Sequence, residues 1–152
     1  MEEHIQPREG LNIILRPRYL VFPILVLIGG LCWYFNSPKS AEESIIKLSG
    51  DIQTIYYDDL NDGVVKHNSI EMQTKDQQEL MDILESVSYY RRLGSTNIRN
   101  DGKALLITIV TKDKRNVQID INEHGYVVRD KKKYQANALL YDRLYDWLGE
   151  AA

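Results

Sequence analysis

The feature that most constrains this chain is an uncharged apolar run near its N-terminus, YLVFPILVLIGGLCWYF at residues 19–35. A helix needs about 17–25 such residues to cross the ~30 Å hydrocarbon core of a bilayer, so the run has just the necessary length. Tyr19 at one end and Trp33 with Tyr34 at the other stand where amphipathic rings favour the headgroup region. We therefore predict a single transmembrane helix over residues 19–35.

The residues after this run favour an anchor that is not cleaved. The sequence NSPK follows at residues 36–39, without the small-residue pattern of a signal-peptide cleavage site. Cys32 raises the alternative of a lipoprotein, but the residue before it is Leu31, where lipoprotein processing favours a small side chain. A buried helix in the core of a soluble protein is the other alternative, although so long a stretch without a polar position is unusual there.

The positive charges around the run predict its orientation. Arg16 and Arg18 lie immediately before it, whereas Lys39 and Lys47 follow at a distance. The positive-inside rule therefore favours a cytoplasmic N-terminal segment at residues 1–18 and an extracytoplasmic C-terminal domain, held at the cell membrane by one span.

The rest of the chain is predicted to form a connector and one small α+β domain. Residues 36–50 form the connector, in which a capping box of Ser40 and Glu43 starts a short helix that Gly50 ends. Residues 51–152 follow as the extracytoplasmic domain, with alternating strand-like and helix-like patterns.

Apolar periodicity gives the order of elements in this domain as β-β-α-β-β-β-α. A capping box of Thr74 and Gln77 starts a helix that runs to Gly94, and Asn137 caps a last helix that ends before Gly149. Short connections favour antiparallel pairing, so we expect an antiparallel sheet with the helices packed on one face. Strands are predicted at residues 51–58, 64–73, 104–110, 116–122 and 126–128, with an acidic turn at 58–63.

Composition excludes several classes of function. The only cysteine, Cys32, lies inside the apolar run, so the predicted domain has no thiol for a disulfide, a zinc site or nucleophilic chemistry. The net charge is -3 with both signs interspersed, which argues against a nucleic-acid partner. His4, His67 and His124 are scattered along the chain, so we expect neither a metal site nor a catalytic triad.

Sequence motifs do not indicate an enzyme. The patterns of phosphate-binding loops, dinucleotide-binding turns, zinc proteases and nucleophile elbows do not occur, so we expect no catalytic residue and no cofactor. The segment DDLNDG at residues 58–63 is similar to the first half of a calcium loop. Leu60 occupies a ligand position, however, and Ser69 stands where the bidentate glutamate is needed, so the segment is interpreted as an acidic turn.

Two groups of residues are candidates for contact with a partner. The basic run of Arg129, Lys131, Lys132 and Lys133, together with a basic turn at residues 112–115, would suit anionic lipid or a cell-wall polymer. Tyrosine is enriched in recognition surfaces, but core packing explains several tyrosines equally well, and lysines in turns also prevent edge pairing. The candidate tyrosines are Tyr56, Tyr57, Tyr89, Tyr90, Tyr141 and Tyr145.

The layout of residues 19–152 is a short anchor followed by a cysteine-free domain that closes with YDRLYDWL at residues 141–148. This layout resembles the small membrane-anchored or lipoprotein extracytoplasmic proteins of Gram-positive bacteria. The resemblance implies an outward-facing binding or accessory role, and it transfers no functional residue because fold-level likeness does not identify a site.

Two hypotheses about function follow from the sequence. The first is a membrane-tethered binding or accessory module without catalytic chemistry, which contacts a protein or a cell-envelope component. The alternative is a structural subunit or immunity-type protein of a membrane complex, which recognises its partners through the span itself and its Gly29-Gly30 pair.

Overall fold

The structure is a computed structural model that describes residues 17–45, 51–61 and 64–151. The chain divides into two compact units, Met1–Trp33 and Tyr34–Ala152. Three predicted segments lie outside the described residues: the N-terminal segment before residue 17, the end of the connector helix at residues 46–50, and the last two residues of the acidic turn, 62–63.

The predicted apolar span lies within the first helix, α1 (Pro17–Asn36). The side chains of residues 20–33 are all exposed, and Trp33 is 75% exposed. Among the described residues, no helix combines the length and the apolar character needed to cross a membrane.

The second unit has an α+β architecture built on one antiparallel sheet, as the sequence predicts. The sheet has seven strands in the order β2-β1-β4-β5-β6-β7-β3. The strands are β1 (Ile52–Asn61), β2 (Val64–Glu71), β3 (Tyr90–Arg92), β4 (Ala104–Thr111), β5 (Asn116–Asn122), β6 (Tyr126–Arg129) and β7 (Lys132–Gln135). The helices of this unit are α2 (Ala41–Ser44), α3 (Thr74–Glu85) and α4 (Leu139–Ala151).

The core lies between one face of the sheet and the helices α3 and α4. Strand residues alternate between the two faces, so Ile55, Ile107 and Ile121 all point to the same side and are at most 2% exposed. Leu84 of α3 and Leu144 of α4 join them in one continuous buried cluster. The opposite face of the sheet carries mostly exposed or half-buried side chains, and we refer to it as the open face.

The helix starts agree only in part with the predicted caps. The Ser40 hydroxyl accepts a hydrogen bond from the Glu43 backbone N–H at 3.2 Å, which confirms the first cap. The second capping box is wrong by one residue, because Gln73 and not Thr74 caps α3, with Asp76 as its reciprocal partner. A glutamine is outside the common N-cap set, so the sequence favoured the neighbouring threonine.

Two short strands were not predicted. The helix expected to reach Gly94 ends at Glu85, and the chain then forms β3, while Lys132–Gln135 forms β7. The Tyr89 hydroxyl donates a hydrogen bond at 2.8 Å to the Leu84 carbonyl, one of the last carbonyls of α3, which have no partner within the helix. The helical spacing of apolar residues continues beyond the end of α3 in the structure. The pairing of β3 with β7 overrides the local preference of these residues for a helix.

The remaining differences concern where elements end. The turn predicted at residues 58–63 is wrong for its first four residues, because β1 continues to Asn61, which pairs with Val64. The last helix passes through Gly149 to Ala151 instead of ending before it.

The turn between β6 and β7 holds two residues in the left-handed region. Asp130 has φ +48° and Lys131 has φ +59°, the pattern of a type I′ turn in a two-residue hairpin. Glycine or asparagine adopts these angles more easily than lysine, whose Cβ approaches the backbone carbonyl there. Lys131 therefore carries its positive charge at a turn position where the backbone of a lysine is strained.

Replacing Lys131 with glycine is expected to stabilise the protein by about 0.5–1 kcal/mol, because relief of about 1–2 kcal/mol of strain exceeds the entropy that glycine loses on folding. Lys132→Gly is the matched control in the adjacent strand, and it should destabilise by a similar amount. Urea denaturation of both variants measures the difference. Destabilisation by K131G would contradict the assigned turn geometry.

Candidate functional site

Three of the six candidate tyrosines lie in the core. Tyr57 is 7% exposed, Tyr89 is 0% exposed and Tyr141 is 4% exposed. Burial raises the pKa of Tyr57, and burial followed by the nearby Asp59 carboxylate raises the pKa of Tyr141 to about 12. These three rings pack inside the domain and are not available to a partner while it remains folded.

The other three candidate tyrosines are accessible but do not form one face. Tyr56 lies on the open face of β1, and Tyr90 lies at the far edge of the sheet in β3. Tyr145 lies on α4, where its ring stacks on the Tyr141 ring with the centroids 5.9 Å apart. The structure therefore separates the tyrosines that the sequence grouped together.

The three candidate lysines lie close together at the β6–β7 hairpin. Lys131 is in the turn, and Lys132 begins β7 with an exposed side chain. Lys133 is half-buried on the open face, with its Nζ atom 3.8 Å from the centroid of the Tyr126 ring. Of the three, Lys131 and Lys132 are thus the cations presented fully to solvent.

A cavity of about 540 Å³ lies beside this hairpin, between it and α2. Its walls carry charges of both signs, since α2 contributes two carboxylates and the hairpin contributes two cations and a third carboxylate. The lining residues are Glu42, Glu43, Ser44, Arg129, Asp130, Lys132 and Tyr134. We refer to this cavity as the α2 pocket.

Arg129 connects the two walls of the α2 pocket. Its Nη1 atom donates a hydrogen bond to the Ile45 carbonyl at the end of α2, and its Nε atom lies 3.3 Å from the Asp130 carboxylate. The Nε atom is buried and makes no hydrogen bond of good geometry within the described residues. Arg129 therefore holds α2 against the sheet through Nη1 and pairs with Asp130 through Nε.

Ser44 supplies an unused polar group. The residue is only 4% exposed, yet its hydroxyl has no hydrogen-bond partner among the described residues. A buried hydroxyl without a partner costs about 1–3 kcal/mol, so such groups usually bind an ordered water or a ligand. The lining of the α2 pocket thus combines a guanidinium and an ammonium group with three carboxylates, and the buried Ser44 hydroxyl lies behind it.

A second group of buried polar atoms lies at the end of β1 under α4. Oxygens of Asp59 and Asn61 and the hydroxyl of Tyr141 are buried without hydrogen-bond partners in the described residues. The Tyr57 hydroxyl nearby donates to the Leu148 carbonyl at 3.4 Å. Among the described residues, no set of three or more histidine, cysteine, aspartate or glutamate side chains is arranged to hold a metal ion.

Sequence reasoning found Lys132 and placed Arg129 in the same basic run, but it missed the other residues of the α2 pocket. Glu43 was noted only for its part in the helix cap, and Ser44 carries no local signal of its role. These side chains line one pocket only because the fold brings α2 against the β6–β7 hairpin.

Comparison of the chain with protein-family models, with curated proteins and with solved structures finds no match in any of the three.

Two tyrosine-to-phenylalanine variants separate a structural hydroxyl from an unused one. Tyr89→Phe is expected to destabilise the domain by about 1–2 kcal/mol, because it leaves the Leu84 carbonyl without its buried donor. Tyr141→Phe removes a buried hydroxyl that has no partner among the described residues, so stability should stay the same or rise by up to about 1 kcal/mol. Denaturation at neutral pH measures both, and equal losses would contradict these assignments.

Proposed function

We propose that this chain is a membrane-tethered binding module, anchored by α1 and without catalytic chemistry of its own. The observation that carries the proposal is the surface of α1. This helix covers the whole uncharged run of residues 19–35, and its side chains from residue 20 to residue 33 are exposed on every side. An exposed apolar surface of this kind is costly in water and favourable in lipid.

The proposed topology places the N-terminus in the cytoplasm and the second unit outside the cell membrane. It rests on Arg16 and Arg18 immediately before the run, because positive residues close to a span are retained on the cytoplasmic side. The role that results is to hold a binding surface close to the bilayer.

We place the contact with a protein or envelope partner at the α2 pocket. Glu42 and Glu43 offer acceptors for an ammonium group, whereas Arg129 and Lys132 offer donors for a carboxylate or phosphate. The charges on the pocket walls are complementary to a partner that carries positive and negative groups side by side, such as a peptide with neighbouring side chains of opposite charge.

The alternative function assigns recognition to the span. Gly29 and Gly30 lie on the exposed surface of α1, and a Cβ atom added at either would meet nothing within 4 Å. Small residues of this kind let a second helix approach closely in a bilayer. Under this alternative, a complex would survive changes in the α2 pocket and be lost when the span is replaced by an unrelated apolar helix.

The anchor and its orientation are tested by cysteine labelling of intact cells that express a C32S variant. Ser95→Cys should react with a membrane-impermeant maleimide, and Glu2→Cys should react only after the membrane is opened. The protein should also stay with the membrane fraction after carbonate extraction. Recovery of the protein in the soluble fraction would reject the anchor, and the reverse labelling pattern would reject the orientation.

The α2 pocket is tested by placing a photoreactive amino acid at Glu43 in the full chain, with Glu85 at the end of α3 as the matched exposed control. A partner adduct is expected at Glu43 only. Lys132→Glu should abolish the adduct by reversing the charge on one wall, whereas K75E, on an exposed helical pair, should retain it. An adduct that persists in K132E would count against the pocket.

A further inference from the structure

The chain enters the second unit beside the same hairpin that carries the candidate lysines. Lys39 and Tyr89 exchange two backbone hydrogen bonds of 2.9 Å and 3.0 Å in an antiparallel bridge. Residues before Lys39 therefore run alongside the residues after Tyr89, toward Arg92 at the end of β3. Arg92 in turn pairs with Lys133 of β7, so the chain enters at the same end of the sheet as the β6–β7 turn.

Contacts of Tyr34, which belongs to the second unit, agree with this placement. The Tyr34 ring lies 4.8 Å from Lys39 Nζ. Burial raises the pKa of Tyr134, which lines the α2 pocket. The nearby Arg91 lowers this pKa, and the nearby Tyr34 raises it. Tyr34 thus lies close to the pocket and to the edge strand.

Four exposed or half-buried residues form what we name the exit corner: Arg92, Leu93, Lys131 and Lys132. Leu93 is 76% exposed and directly follows Arg92 at the end of β3. Lysine and arginine side chains at a sheet edge keep the edge soluble and prevent it from pairing with other strands. An exposed leucine among them does not serve that purpose. Surfaces that rest on a lipid headgroup layer combine apolar side chains with neighbouring cations.

The charge of this corner is opposite to that of the whole chain. The net charge of the chain is -3, whereas the three segments next to the exit corner, residues 39–43, 91–93 and 129–133, hold seven cations and three carboxylates. Asp130 is paired with Arg129, and among the described residues no ion pair involves Arg92, Lys131 or Lys132. The cations are Lys39, Arg91, Arg92, Arg129, Lys131, Lys132 and Lys133, and the carboxylates are Glu42, Glu43 and Asp130.

The backbone of Lys131 bears on this corner as well. Lys131 has φ +59°, where glycine would be less strained, so the β6–β7 turn carries a cation at a cost in stability. Compared with glycine, lysine adds a long apolar stem that ends in an exposed positive charge.

We propose that the exit corner rests on the membrane surface and binds anionic phospholipid headgroups, with Leu93 inserted among them. This inference rests on the proposed membrane anchor, which brings the corner to the headgroup layer. Docking there orients the second unit on the bilayer and fixes the direction in which the α2 pocket opens.

The test uses the full chain in the C32S background, reconstituted in nanodiscs of phosphatidylcholine alone or mixed with phosphatidylglycerol. An environment-sensitive fluorophore is attached at Leu93→Cys, and at Leu139→Cys as the control. Leu139 is also exposed, at 52%, and begins α4 just beyond β7, at the end of the sheet away from the corner. A blue shift is expected only for the Leu93 label and only in the anionic discs.

Charge variants then separate docking from folding. Lys131→Gln and K131G should each reduce the docked-to-undocked ratio about fivefold, the factor for one lysine near an anionic surface. Lys103→Gln should leave this ratio unchanged, because Lys103 directly precedes β4 at the end of the sheet away from the exit corner. K131G is expected to fold at least as well as the original chain, so a reduced ratio in that variant reflects the lost charge.

The outcomes distinguish the two proposals. Failure of the chain to enter the discs would reject the membrane anchor itself. Entry with the same Leu93 emission in both kinds of disc, or with equal shifts at Leu93 and Leu139, would leave the anchor standing and overturn the exit corner.

Discussion

Antiparallel pairing of β1 with β4 is the interaction on which the rest of the domain depends. Its register places Ile55 opposite Ile109 and Tyr57 opposite Ile107, and β5 extends the same apolar face with Ile119. The amphipathic helices α3 and α4 bury their leucines against that face. Helices of 12 and 13 residues are marginal alone in water, so the sheet supplies the surface that stabilises them.

The edge of the sheet at β3 and β7 relates this core to the proposed function. Tyr89 is fully buried, satisfies the end of α3 through its hydroxyl and pairs with Lys39 through its backbone. One residue thus fixes where α3 stops, where β3 begins and where the connector joins the sheet. Arg129 holds α2 next to the same edge, so the α2 pocket and the exit corner are both consequences of how the connector is attached.

Local patterns predicted those parts of the fold that depend on neighbours in sequence. The Ser40 cap, most strands and the apolar face of α4 follow from turn chemistry and periodicity, and the structure contains them. The strands β3 (YRR) and β7 (KKYQ) are short and lack the aliphatic residues that mark the equally short β6, and they exist because each pairs with a neighbour. Tyr56 and Tyr57 show the same limit for the candidate site, since adjacent strand residues face opposite sides and their identity does not reveal which side is covered.

The sequence by itself determined the uncharged run at residues 19–35, the lack of any thiol outside it, the α+β class and the antiparallel pairing, because each depends on composition or on short-range spacing. Only the tertiary structure decided which tyrosines are buried and that Ser44, Arg129 and Lys132 share one pocket. It also decided that the connector and the strained Lys131 turn lie at the same end of the sheet. The physical reason is that these juxtapositions join residues about 40 to 90 positions apart, and long-range strand register, which no local pattern encodes, brings them together.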